Sequence, residues 1–282
     1  MPQSAPVLTF ETLAVSLEGN IAHVALNRPE QLNAMNGDMF REIGEAFRAL
    51  DAIPSVRAVV LSGNGKLFTA GLDLKESASL LGQAEGDPAR VREKLRRHIL
   101  FWQDCLSTLE ECRAPVVACV HGACLGGGID LITAADMRIC TEDAYFTIQE
   151  VNVGIVADVG TLQRMPHLLP QGILRELAYT GRKFTSAEAD KYGFVNSVHA
   201  DKEAALAAAT ALAHAIAAKS PMAVTGTKAI INHSRDHSLR DGLEYVAAWN
   251  SGQLLGEDVV KAATAALTRQ EVTFADLLAA DD

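Results

Sequence analysis

His121–Arg164 reads HGACLGGGIDLITAADMRICTEDAYFTIQEVNVGIVADVGTLQR, and this order of residue types sets the expectation for the fold. A β-prone run, Pro115 to Val120, leads into it. Three consecutive glycines, Gly126, Gly127 and Gly128, follow, and then an apolar segment of helical type, Ile129 to Ala135. Strand, glycine turn and helix in succession present bare backbone N–H groups to an anion. Glycine lets a ligand approach the main chain, and a helix N-terminus favours negative charge. Three acids keep unusual company here. Asp130 lies in the first helical turn, Glu150 ends a β-like run from Tyr145 to Ile148, and Asp158 sits inside Gly-Ile-Val-Ala-Asp-Val-Gly. Carboxylates in apolar surroundings have displaced pKa values, and such groups gather at functional sites. Position alone also admits plainer roles, with Asp130 as a helix N-terminal acid and Glu150 as a solvated strand end.

Working outward, Leu8 to Glu18 and Ile21 to Leu26 are β-prone and flank Gly19-Asn20, a hairpin signal. Asn27-Arg28-Pro29 breaks the second strand. Asp38 to Leu50 has helical periodicity, with Met39, Ile43, Phe47 and Leu50 on one face. Val56 to Leu61 reads as a buried strand, and Phe68 to Lys75, FTAGLDLK, forms a second glycine-bearing turn. Residues 1–6 read as a loose tail and Gly82 to Pro88 as a mobile loop. A long helix is expected over Ala89 to Glu111, its apolar face carrying Val91, Leu95, Ile99, Trp102, Leu106 and Leu109. Trp102 and Leu106 read first as core. Gln171 to Tyr179 and Thr185 to Lys191 read as helices, and Phe194 to Val198 as a strand. From Asp201 alanine becomes frequent, and helices are expected at about 201–219, 222–234, 238–255 and 257–268. The pattern implies an αβ portion, 1–200, followed by a helical region, 201–282.

The net charge of −10 argues against a nucleic-acid partner, and the basic run Arg90 to Arg97 reads as one solvated helix face. With 49% hydrophobic residues the chain can bury a sizeable core. The five cysteines form no CxxC pair and lie mostly in apolar runs, as buried thiols of a reducing compartment would. No leader, long apolar span or peroxisomal address at LLAADD is read in the sequence, which sets a cytoplasmic expectation with no membrane partner. The eight histidines show no metal-ligand spacing, so no metal is expected.

The two glycine turns together, FTAGLDLK and HGACLGGGIDLITAADMRIC, resemble the crotonase, or enoyl-CoA hydratase/isomerase, superfamily. The resemblance extends to Asn27-Arg28-Pro29 with Leu32-Asn33-Ala34, to Thr161-Leu162-Gln163-Arg164, and to Thr180-Gly181-Arg182 with Ala187-Glu188-Ala189. It implies an α/β spiral of ββα units, a C-terminal helical part that builds homotrimers or homohexamers, and an acyl-CoA thioester substrate. It implies no cofactor beyond the coenzyme A of the substrate. On matching positions the backbone N–H groups of Leu72 and Gly127 hold the thioester oxygen. Ala70, Gly71, Asp73, Leu74 and Lys75 line the CoA groove. The hydratase pattern has Glu at the positions of Asp130 and Glu150 and a small residue at that of Asp158. The triple found here is similar to the branch that converts 3,5-dienoyl-CoA to 2,4-dienoyl-CoA in unsaturated fatty acid β-oxidation.

That chemistry explains the need for a second acid. Removing a proton at C2 places charge on the thioester oxygen, which two pre-aimed N–H donors stabilise. Returning a proton at C6 lies beyond the reach of the same carboxylate. Glu150 and Asp158 are therefore expected as the pair, Asp158 as base at C2 and Glu150 as acid at C6. Asp130 is expected to hydrogen-bond and tune Glu150. The alternatives are a hydratase or Δ3-Δ2-enoyl-CoA isomerase of the same family, or an acyl-CoA-binding scaffold without turnover. A fourth is a thiol hydrolase using Cys124 in Gly122-Ala123-Cys124-Leu125-Gly126 as a nucleophile elbow. The Gly triplet is not a dinucleotide fingerprint, since Leu131 stands where its last glycine would fall.

Overall fold

The computed structural model describes residues 8–75 and 86–279. The expected tail at 1–6, most of the loop expected at Gly82 to Pro88, and the last three residues lie outside them.

The chain begins with a hairpin, β1 (Leu13–Glu18) and β2 (Ile21–Leu26), closed by Gly19 at φ +57°. The first strand starts later than its β-prone sequence suggests. The N–H groups of Glu11 and Thr12 donate to the buried Glu42 carboxylate at 3.1 and 2.8 Å and so cannot join a ladder. Glu42 belongs to α1 (Gly37–Asp51), which Asn36 caps by accepting the Met39 N–H at 3.0 Å. β3 (Ala58–Gly63), β4 (Val116–Val120), β6 (Met137–Thr141) and β9 (Ser197–His199) complete a six-stranded sheet in the order β1-β2-β3-β4-β6-β9, parallel after the hairpin. The shorter strands β5 (Ala123–Leu125), β7 (Tyr145–Thr147) and β8 (Phe184–Thr185) form a second sheet, which a parallel bridge between Thr69 and Cys124 extends. Each pass of the chain lays one strand in the large sheet and, in most passes, one in the small sheet. This is the spiral of ββα units.

β3 and β4 are apolar at almost every position because both faces are covered. Val59, Leu61, Val116, Ala118 and Val120 face the main core with α1 and α3 (Gly127–Ala134). Ala58, Val60, Val117 and Cys119 face α7 (Lys202–Ala217), which presents Ala205, Ala209 and Ala213 at helical spacing. Small side chains there let the helix lie close on the sheet. The first helix beyond residue 200 therefore packs as part of the αβ portion. α8 (Pro221–Asp236), α9 (Leu239–Gln253) and α10 (Glu257–Thr268) follow it, with Ser220 capping α8 as the expected break. Among the described residues no helix is long and apolar enough to cross a membrane.

α2 (Pro88–Glu111) is capped by Asp87 and departs from the expected apolar face. Only Cys105, Leu106, Thr108 and Leu109 are buried, while Leu95 is 45% exposed. The first half projects beyond the core, and Glu93 pairs there with Arg96 and Arg97, both at 3.0 Å. All five cysteines are buried and free.

Candidate active site

Three segments meet at one cavity, and the hydrogen bonds of a single asparagine align two of them. Leu32 and Asn33 take φ of +54° and +51°, so the chain doubles back after Pro29. The Asn33 amide then donates to the carbonyls of Asn64 and Phe68 at 2.7 and 3.0 Å, and its Oδ1 accepts the Arg28 N–H at 2.9 Å. Thr69 Oγ1 donates to Asn33 O at 2.6 Å and accepts the Gly71 N–H at 3.0 Å. The turn at 68–75 is thereby fixed against the one at 121–128. Thr69 N–H donates to Ala123 O at 3.1 Å, and Leu125 N–H to Thr69 O at 3.2 Å.

The glycines answer to this close approach. Gly71 has φ +84°, and a Cβ there would stand 2.7 Å from Leu125 O. A Cβ on Gly128 would stand 2.3 Å from Thr69 Cγ2. Among the described residues neither the Leu72 N–H nor the Gly127 N–H donates to a backbone carbonyl. Gly127 opens α3, where unpaired N–H groups and the helix dipole favour negative charge.

The third segment carries the acids. Glu150 does not end a strand. After β7 the chain turns, and Glu150 begins a 3-10 helix, Glu150–Val153. Its carboxylate folds back over Gly126, with Oε1 3.1 Å from the site of an added Cβ there. Glu150 Oε2 is buried and, among the described residues, has no hydrogen-bond partner. Burial pushes this carboxyl up to about 7, with the Asp130 charge adding to the rise. Asp130 is 1% exposed. Burial raises it to about 6, against the lowering from its Thr161 hydrogen bond and from Arg164. Asp158 lines the same cavity but stands exposed at its mouth, and partial burial raises its carboxyl too.

The cavity holds about 160 Å³ and brings together Ala70, Gly71, Leu72, Leu74 and Gly127 with Asp130, Glu150 and Asp158. Phe40 and Trp102 close one side, stacked at 4.6 Å between centroids. The enoyl-CoA hydratase/isomerase family model matches residues 16–273. The chain belongs to this family.

A peroxisomal Δ3,5-Δ2,4-dienoyl-CoA isomerase of Arabidopsis thaliana is 43% identical over 271 residues, 95% of this chain and 98% of that protein. The mitochondrial Δ3,5-Δ2,4-dienoyl-CoA isomerase of Homo sapiens is 47% identical over 279 residues, 97% of this chain and 85% of that protein. An enoyl-CoA hydratase structure from Bacillus anthracis superposes with a TM-score of 0.85 at 27% identity, covering 94% of this chain and 99% of that one. The crotonase-like spiral with its C-terminal helical region is thus the fold of this chain. The relatives' names overturn the cytoplasmic expectation, since they are peroxisomal and mitochondrial. Short addresses read by receptors carry compartment, and buried thiols do not.

Within the family site, three of the expected positions fall differently from their neighbours. Asp73 turns from the cavity to pair with Arg28 at 3.1 Å, and Lys75 is exposed outside the cavity lining. The expected Asp130–Glu150 hydrogen bond is not formed, because Asp130 Oδ1 accepts the Thr161 N–H at 2.6 Å. Asp130 acts on Glu150 through charge alone. Cys124 is fully buried beneath Gly128, and burial pushes its thiol well above the usual range, which disfavours the thiolate that an elbow nucleophile needs. Among the described residues no three His, Cys, Asp or Glu side chains gather as metal ligands would. Phe40 is not among the residues expected from sequence, and Trp102, expected as core, lines the cavity. In a chain with only 5% aromatic residues, two on facing helices were a usable signal.

Proposed function

We propose that this chain isomerises 3,5-dienoyl-CoA to 2,4-dienoyl-CoA by two-carboxylate proton transfer over a backbone oxyanion hole. The observation that carries the reading is Asp158, a second acid lining the cavity that holds Glu150. The Leu72 and Gly127 N–H groups receive the thioester oxygen and stabilise the enolate more than the neutral thioester. Asp158, open to solvent, takes the C2 proton. Glu150, with its carboxyl at about 7, is substantially protonated near neutral pH and returns a proton at C6. Asp130 holds Glu150 toward its protonated form, since neighbouring carboxylates resist ionising together. Phe40 and Trp102 offer flat apolar walls to a conjugated chain. The scheme uses no cofactor beyond the coenzyme A of the substrate, and the names of the dienoyl-CoA isomerase relatives support it. Such an activity belongs to the oxidation of unsaturated acyl chains.

We also infer a closed homotrimer or homohexamer built through the C-terminal helices. Leu239, Leu255 and Leu267 are 82%, 93% and 86% exposed in the single chain, which an association would cover. Light scattering at micromolar concentration tests this, and a monomer there would count against it.

A substrate panel of 3,5-dienoyl-CoA, 2-enoyl-CoA and 3-enoyl-CoA tests the reaction. Growth of the conjugated 2,4-dienoyl chromophore is the expected result. Faster hydration of 2-enoyl-CoA would move the assignment to a hydratase.

A further inference from the structure

Arg164 lies outside the cavity, yet its guanidinium holds the segment from which Asp158 projects. Its Nε and Nη2 donate to Glu110 Oε2 at 2.9 and 2.8 Å, and Nη2 also donates to Ser107 Oγ at 3.1 Å. Both partners stand on α2. The remaining nitrogen, Nη1, donates to Val159 O at 3.2 Å. The pair is largely enclosed, with side-chain exposures of 11% for Arg164 and 15% for Glu110. Arg235 of α8 approaches Glu110 from its other oxygen at 2.5 Å.

The turn itself is shaped to this contact. Gly160 has φ +136°, and a Cβ there would stand 1.7 Å from Arg164 Nη1, so the guanidinium occupies the space a side chain would need. Either side of Gly160, backbone groups have partners. Asp158 O accepts from the Gln103 amide, and the Thr161 N–H donates to Asp130 at 2.6 Å. Four consecutive residues, 158 to 161, are thus tied at Asp158 O, Val159 O and Thr161 N–H to groups on α2, on the helix α4 (Thr161–Arg164) and on α3.

We propose that Arg164 is a positioning residue, whose fork on Glu110 and Ser107 sets where Asp158 stands relative to Glu150 and Asp130. The inference rests on the isomerase reading, in which Asp158 moves a proton. A lysine cannot replace this arginine. A single ammonium lacks the planar fork that reaches one carboxylate oxygen, a hydroxyl and a backbone carbonyl together. A purely structural strut would show itself in melting and in every step of turnover alike. A positioning residue acts through Asp158 and needs Asp158 to be there.

The test is the full-length protein with Arg164→Lys, alone and combined with Asp158→Asn, assayed on 3,5-dienoyl-CoA. Arg164→Lys is expected to lower kcat roughly 10–100-fold with little change in KM, the scale on which misplacing a reacting group acts. In the Asp158→Asn background the same change should cost almost nothing further. Gln103→Ala removes a second side-chain tether of the turn from a partly exposed position and should give a smaller loss with the same dependence on Asp158. This variant keeps the test open if Arg164→Lys folds poorly. Equal losses in both backgrounds, or wild-type kcat in folded Arg164→Lys, would overturn the inference while leaving the isomerase reading in place. Failure of the wild-type chain to turn over any 3,5-dienoyl-CoA would remove both.

Discussion

The glycine turns at 68–75 and 121–128 and the acid-bearing segment at 150–161 face each other across one cavity, but the chain holds them differently. The turns are bound by buried backbone bonds, and Asn33 and Thr69 beneath them are fully buried. Across the cavity Val151, Val153, Ile155 and Val156 are exposed, and among the described residues Glu150 Oε2 has no partner. The first region offers donors that need no reorganisation as charge develops, which suits any enolate. The second offers side-chain acids whose proton affinity comes from burial and from one another. Backbone donors of this kind can serve any enolate, whereas side-chain acids can differ in number and place from one reaction to the next.

The largest effect is expected from Asp158→Asn, which keeps shape and removes the titrating group. Conversion of 3,5- to 2,4-dienoyl-CoA is expected to fall roughly 10²–10⁴-fold, with acyl-CoA binding little changed. Glu150→Gln should cost about as much, and the double variant far less than the product of the two. Wild-type speed in Asp158→Asn would leave the acid segment without its distinguishing role.

Gly71→Ala attacks the other side. An alanine at φ +84° with its Cβ 2.7 Å from Leu125 O must displace backbone and so misaim the Leu72 N–H. Turnover should drop roughly 10²–10³-fold, the cost of losing one oxyanion donor. If stopped-flow traces show an undiminished enolate step, the floor is less rigid than its hydrogen bonds indicate.

A smaller effect reads the electrostatics of the acid segment. The Glu150 carboxyl stands at about 7 in the fold against an ordinary 4.5. The folded chain therefore keeps a proton that the unfolded chain releases between those values. The contribution is whole below 4.5, declines as pH rises through about 7, and is level above. Glu150→Gln removes this slope. Relative to wild type it should gain on the order of 1–3 kcal/mol between acidic and mildly alkaline pH. Thermal melts at both ends of the window measure it, and parallel curves would contradict the buried-acid picture.

The least effect is expected at Cys124. Cys124→Ser should keep most turnover, and iodoacetamide should react slowly with wild type, because the thiol is buried and rarely ionised. A thioester trapped on Cys124 during turnover would reverse that expectation.

Much of the fold was legible because its signals are local. The hairpin at Gly19-Asn20, the breaks at Pro29 and Pro221, and the two glycine turns depend on neighbours in sequence. Boundaries moved where a distant side chain intervened, as when Glu42 took the N–H groups that would have begun β1 earlier. The apolar face of α2 runs beyond the core, because periodicity says which residues align and not whether anything lies beneath them. At the site, Leu72, Gly127 and the three acids came together as their motifs implied. Asp73 turned to Arg28, Asp130 found Thr161, and Phe40 joined Trp102 through contacts no single segment contains.

The sequence by itself determined the glycine turns, the family and the identity of the acids, since these reside in residue type and short-range spacing. The tertiary structure alone decided their proton affinities and their placement. A pKa depends on burial and on charges brought close from elsewhere in the chain, and the direction of a carboxylate depends on which distant donor reaches it first. Asp130 near 6 and Glu150 near 7 are properties of the folded neighbourhood, absent from the same residues in an extended chain.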